Sequence, residues 1–410
     1  MSTATGYLPR LDTRESYIDY LEGFNMPEGK EREGNGSMRT RIKTYMLETA
    51  SGDHAIPELD SLFPDAVHLH RMDDTLYRVE DAGHGHQVVG LVEALDERHP
   101  VLYTTLPVAE SDKWVRQTID PNPWLDRLWL SSPILFELWT YAQRNTPTDR
   151  YIRLGFEHDA WYEAPSDHHS GDEGLNEEKE RPDEDEEAPL SRIERRRSRV
   201  SLTERLALLN TKLEPLMKLY DPLHSLVQLQ IPGRERGGHR LYHDGRATNW
   251  TDSFLEHRAT VRLVAKLYRR VTDRAEARLW VDTTQVGQDG FSLTGAPVTI
   301  RFSAQLSEPT FRRFVNLALR RRTSRFRIGG YITERGPTKV HLAGIDRHLW
   351  QPFLLEATSR QLLMVLPRGT CGNTIHRLVT NIQRYLDPRV DVWLGSESYR
   401  DTVAQSMTAP

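Results

Sequence analysis

The densest chemistry-bearing pattern in this sequence is cationic, and it lies in the second half. Arg258, Arg262, Lys266, Arg269 and Arg270 fall on one side of a periodic segment over 252–272. The other side carries Phe254, Thr260, Val261, Leu263, Val264, Leu267 and Tyr268, so the spacing predicts a basic amphipathic helix. A second cluster comprises Arg312, Arg313, Arg320, Arg321, Arg322, Arg325 and Arg327, around the C-terminal end of another predicted helix. A guanidinium presents a planar fork of donors that suits phosphate oxygens and also stacks on aromatic faces. Several such groups on one surface bind a polyanion with steep salt dependence. Phe326 and Tyr331 sit beside these arginines, as aromatics do on nucleic-acid platforms.

A second constellation is the turn Arg368-Gly369-Thr370-Cys371-Gly372-Asn373-Thr374, which opens the final long helix. Free N–H groups at a helix start favour an anion, and Arg368, Gly369, Cys371 and Gly372 are the expected contacts. The same setting would lower the thiol pKa of Cys371, with His376 close in sequence as a base. A hydrolase or a metal-dependent nuclease is therefore the competing expectation. Asp282, Asp289, Glu334 and Asp346 are the carboxylates available to it, although no spacing singles them out.

Histidines occur as His68-Leu69-His70 near Asp73 and Asp74, and as His84-Gly85-His86 after Glu80 and Asp81. An H-x-H pair on a strand projects both rings to one face, compatible with a first-row metal. Neither HExxH nor a cysteine pair completes a ligand set, so no metal is assigned. No phosphate-binding GxxxxGK[ST] loop and no Gly-x-Ser-x-Gly elbow occurs, and no cofactor is expected.

These groups need elements to position them, and composition sets the frame. The chain has 410 residues, one Cys and a net charge of −5, with a mean hydropathy of −0.61. No apolar run approaches the ~18–20 residues of a membrane span, no secretory leader is evident, and a lone cysteine forms no internal disulfide. A cytoplasmic prokaryotic protein is expected. The small net charge conceals a segregation. Residues 1–189 hold 18 Lys and Arg against 39 Asp and Glu, or −21, while residues 190–410 hold 36 against 20, or +16. Among the 54 cations only 8 are Lys, an arginine bias of the kind a GC-rich genome produces, but such bias does not segregate charge.

The expected organisation is an acidic mixed α/β domain over 1–165, an acidic disordered linker over 166–189 and a basic α+β domain over 190–410. The linker holds 11 acids, two bases and no aromatic or β-branched residue, too little apolar surface to offset the entropy of ordering. In the first part we expect a short helix at 17–24, strands at 75–79, 88–94, 101–106 and 151–157, and two short helices within 122–144 split near Pro133. The seam Leu202, Leu206, Leu209, Leu213, Leu216, Tyr220 predicts a helix kinked at Pro215. Strands at 279–282 and 298–303 should pair across a turn-rich loop. A helix with Phe311, Phe314, Val315, Ala318 and Leu319 inward follows, then strands at 326–333, 340–345, 349–357 and 361–366. The last helix runs over 374–386 with Asn373 as its cap.

Strand, helix, four strands, helix is the order of an antiparallel sheet backed by helices. Over residues 297–387 this order resembles half of the TATA-binding-protein saddle and the related helix-grip folds, by element order alone. The fold class expected is α+β in two domains. The leading expectation for function is a non-catalytic, regulatory nucleic-acid-binding protein, DNA or RNA. Its basic part contacts phosphates, and its acidic part senses or recruits a protein partner. The linker should compete for the basic surface. A protein-interaction or structural role is the remaining alternative, and no membrane partner is expected.

Overall fold

The computed structural model describes residues 6–25, 41–49, 58–147, 149–159, 197–234, 236–288, 290–320 and 325–408. The expected linker over 166–189 lies outside them. The fold is α+β, with antiparallel sheets backed by helices. No helix among the described residues is long and apolar enough to cross a membrane.

Apolar runs between residues 43 and 249 pair into one long sheet, whose strands follow the order 67–71, 76–81, 87–94, 100–104, 43–48, 246–249, 238–242, 226–232, 151–159 and 197–205. The strand Asp126–Arg127 adds to it beside 43–48. This order departs from the expected division of the chain. Strand 43–48 sits between 100–104 and 246–249, with Lys43 opposite both Thr104 and Thr248. Strand 151–159 does not close a domain, because 197–205 pairs one of its edges and 226–232 the other. Residues on both sides of 166–189 thus build one sheet, and the buried cluster on its inner face continues from Met46 and Leu241 to Val298 and Ile375.

The reading of 122–144 as two helices fails in detail. One helix spans Ser132–Asn145, and Pro133 occupies its first turn, where a missing N–H costs nothing. The leucine seam is likewise divided, since Leu202 belongs to the strand Arg197–Arg205 and the helix begins at Leu206. Pro215 does lie inside that helix.

The basic amphipathic segment forms a longer helix than expected, Phe254–Leu279. Ser253 caps it through its side chain and Glu22 accepts the N–H groups of Phe254 and Leu255. Because the helix runs to Leu279, the strand expected at 279–282 starts later. Asp282–Val286 pairs with Gly290–Thr294 in a separate two-stranded ribbon. Val298–Arg301 pairs instead with Gln361–Val365 and Asp391–Leu394.

The C-terminal elements follow the expected order. The sheet runs 328–335, 339–346, 351–358, 361–365, 298–301, 391–394, 397–398. Strict alternation of burial along 339–346 and 351–358 puts one face on the core. Helices Glu308–Phe314, continued by 315–320, and Asn373–Tyr385 supply apolar residues to that core. The last helix, Tyr399–Thr408, packs beside the long helix.

Candidate functional site

On the long helix, Arg258, Arg262, Lys266, Arg270, Arg274 and Arg278 recur at every fourth position. Positions four apart on a 3.6-residue helix are turned by about 40°, so the row winds and both its ends swing toward the body of the protein. Each end meets a carboxylate. Glu93, 1% exposed, receives Arg258 Nε at 2.9 Å and Arg262 at 2.9 Å, together with Arg14 at 3.3 Å and the Tyr103 hydroxyl at 3.2 Å. Burial pushes the Glu93 pKa up, but Arg258 and Arg262 outweigh it and hold the carboxyl below its usual value. At the other end Glu397 takes Arg274 at 3.3 Å and Arg278. Between them Lys266 is exposed and Arg270 half-buried. Four of the six cations in this row therefore meet two carboxylates, Glu93 and Glu397. Arg274 and Arg278 are additions to the sequence reading, and continuing the four-residue spacing past 270 would have found them.

Arg269, on the adjacent stripe, pairs with Asp96 at 3.1 Å and Glu97 at 2.5 Å. The second cluster is not one surface. Arg312 pairs with Glu308 one turn earlier, beside an open groove of about 400 Å³ between Phe311, Val315 and Val340. Arg313 is half-buried, and Arg325 lies over the Tyr385 ring at 5.0 Å. Arg327 is a correction. It is 7% exposed, pairs with Asp126 at 2.8 Å, and donates to the carbonyls of Leu125 and Asn122. The side chains of Arg320, Arg321 and Arg322 lie outside the described residues.

The charge segregation has a structural use. Acids from before residue 160 hold arginines from after 240: Asp112 with Arg246 at 2.7 Å, Glu93 with Arg258, Asp126 with Arg327 and the fully buried Arg377, Glu157 with Arg384 at 2.6 Å. Opposite charges at these distances in a low-dielectric interior join the two halves of the chain.

The turn at 368–374 also departs from expectation. Two of its N–H donors are already taken by side chains of the protein itself, and those of Arg368, Thr370 and Thr374 by backbone carbonyls. Gly372 donates to Glu276 Oε1 at 2.7 Å and Cys371 to Gln351 Oε1 at 2.7 Å. The anion at this helix start is the Glu276 carboxylate, which also receives Arg98 at 2.6 Å. Gly372, not Asn373, occupies the cap position, and the Asn373 side chain instead joins Arg127 O at 3.0 Å and the Tyr268 hydroxyl at 2.6 Å. Arg368 turns to Asp282 at 3.1 Å.

Cys371 is fully buried, 3.4 Å from Glu48 Oε1 and 3.4 Å from Arg98. Burial and the Glu48 carboxylate push its thiol well above the ordinary range, although Arg98 opposes them. That is the reverse of the lowered pKa expected, and a thiol in this state is a poor nucleophile. His376 does not face it. Its ring meets Tyr399 and, at 3.1 Å, Thr272, and burial lowers its pKa to about 3.

His68 and His70 lie on the strand Val67–Arg71, with His70 at 3.4 Å from Glu80. His84 bonds Asp81 at 2.9 Å, and His68 stacks on His86. Among the described residues no three His, Cys, Asp or Glu side chains are arranged to hold a metal ion.

Comparison with known proteins places the chain. The family model for MJECL33-like proteins matches residues 25–400, and the chain belongs to that family. It is 37% identical over 62 residues to a protein of Methanocaldococcus jannaschii described as "Uncharacterized protein MJECL33". That alignment covers 15% of this chain and 15% of the relative. No solved structure matches.

Proposed function

We propose that this chain is a cytoplasmic, non-catalytic nucleic-acid-binding protein whose contact surface is the middle of the long helix, centred on Arg262, Lys266 and Arg270. The observation that carries this reading is the recurrence of six cations at every fourth position of the long helix, with Lys266 exposed. At 1.5 Å rise per residue, Arg262 to Arg270 covers about 12 Å, enough to meet several phosphates of a duplex that carries one charge per ~1.7 Å. The arginine-rich end of the second cluster is a weaker support than the sequence alone suggests, because Arg327 is internal and Arg312 has Glu308. A catalytic reading through Cys371 has no support from a thiol buried beside Glu48.

The test is fluorescence anisotropy of the full chain with duplex and single-stranded oligonucleotides across a salt series, with and without Mg²⁺. Binding should weaken steeply with salt. Lys266→Glu with Arg270→Glu should flatten the slope of log K against log salt by roughly 0.9 for each duplex phosphate no longer neutralised, or 0.7 on a single strand. No binding at low salt, or a slope untouched by the double variant, overturns the reading. Mg²⁺-dependent cleavage would replace it with the nuclease alternative.

A further inference from the structure

We infer that a second copy of this chain covers the ribbon 282–294 and the outer face of the seven-stranded sheet, each ribbon lying on the partner's sheet. The ribbon is a two-stranded sheet on its own. Its cross-strand register puts Phe291 opposite Gln285 and Leu293 opposite Thr283, so both apolar residues share one face. They are 77% and 70% exposed. An isolated two-stranded ribbon is at best marginally stable in water and needs a third strand or a packed face.

The sheet face offers one. Its outer side carries the row Tyr331, Ala343, Leu354, Val365, aligned strand to strand. Tyr331 is 77% exposed and Leu354 60%. Ile345 and Trp350 extend this patch toward the 346–351 turn. The ribbon rises from that same end, since Val281 bridges Pro367 just beyond the strand Gln361–Val365. On this face Lys339 at 3.0 Å and His341 at 2.8 Å both engage Glu356.

Area selects the occupant. With about 150–250 Å² for a large side chain, Phe291 and Leu293 expose roughly 300 Å², far below the ~800 Å² per partner of a stable interface. Adding Tyr331, Ile345, Trp350 and Leu354 brings the total to roughly 800 Å². A two-fold contact uses both patches of each copy, ribbon to sheet twice, and so reaches that area.

The experiment is sedimentation velocity of the full chain from about 1 to 100 µM. The ribbon variant carries Phe291→Asp with Leu293→Asp, and the face variant Tyr331→Asp with Leu354→Asp. All four side chains are exposed, and unfolding midpoints near wild type check that each variant is folded. Wild type should dimerise, and each variant alone should dimerise at least about 30-fold more weakly. A one-to-one mixture of the two variants should recover part of the association, because one intact ribbon still meets one intact face. A monomeric wild type overturns the inference. So does association lost in the ribbon variant but kept in the face variant, which is the result expected of ribbon-to-ribbon contact, and so does loss in both variants without recovery on mixing.

Discussion

Replacing Glu93 by Gln tests the internal use of the cations, because it removes one charge while keeping the shape. The carboxylate is 1% exposed and accepts from Arg258, Arg262, Arg14 and Tyr103. Removing one partner of a buried ion pair costs about 3–5 kcal/mol. Here the released guanidiniums keep some water, with Arg258 19% and Arg262 48% exposed, and Arg14 retains Asp73. That solvation reduces the expected loss to about 3 kcal/mol. Urea unfolding of wild type, Glu93→Gln, Arg258→Ala and the double variant gives both the loss and the coupling, which should exceed ~1 kcal/mol. The same substitution frees positive charge on the long helix, so nucleic-acid binding should tighten and its salt slope steepen. A loss below ~1 kcal/mol with additive variants would refute the idea that Glu93 neutralises the start of the cation row.

Three further outcomes follow from the structure. Cys371 should resist thiol reagents in the native protein and react only in denaturant, and native labelling at the rate of a free thiol would contradict its burial beside Glu48. Burial lowers His243 and His348 to about 4, and the two ring nitrogens of His348 meet no hydrogen-bond partner among the described residues. Both rings stay neutral in the fold while the unfolded chain takes up protons below about pH 6.5. Stability should therefore fall from pH 6.5 toward 4, by about 2 kcal/mol for each ring at pH 5, and a flat profile of urea midpoints over that window would reject it. At Gly237, with φ +71°, an added Cβ would lie 1.8 Å from the Trp250 carbonyl, whereas at Gly287, with φ +68°, it meets nothing within 4 Å. Gly237→Ala should cost well over 2 kcal/mol and Gly287→Ala only the ~1–2 kcal/mol of a left-handed Ala, so equal melting temperatures would show that the Trp250 contact does not matter.

Local pattern was legible and distant pairing was not. The helices at 254–279, 308–314 and 373–385 follow from 3.6-residue periodicity, and the four strands after 328 from alternation and turn residues. The misreadings near Pro133 and Leu202 arose where two local rules competed. A proline can end one helix or begin another, and a leucine can fit a helical seam or the pleat of a strand. The continuous sheet was beyond local reading, because nothing near Lys43 names Thr248 as its neighbour. Charge signs were readable, but not that the acids and arginines would face each other. One signal could have helped: Glu93 interrupts the apolar run of 87–94, and Glu276 lies on the inner stripe with Tyr268, Thr272 and Leu279. A carboxylate at a core position demands a buried cation, which points to Arg258 and Arg98 before any phosphate does.

The placement of strand 43–48 also has a consequence in time. One edge pairs with 100–104, but the other waits for 246–249. A ribosome adding 5–20 residues per second needs roughly 10–40 s to deliver that second neighbour. Through that interval a buried central strand has an unpaired rim, and the acids of the first half await arginines not yet made. Folding of this chain is therefore dominated by late, distant closure. A nick between 159 and 197 after synthesis should leave the two pieces held together, whereas the first piece made alone lacks four of the eleven described strands of the sheet and the second lacks seven.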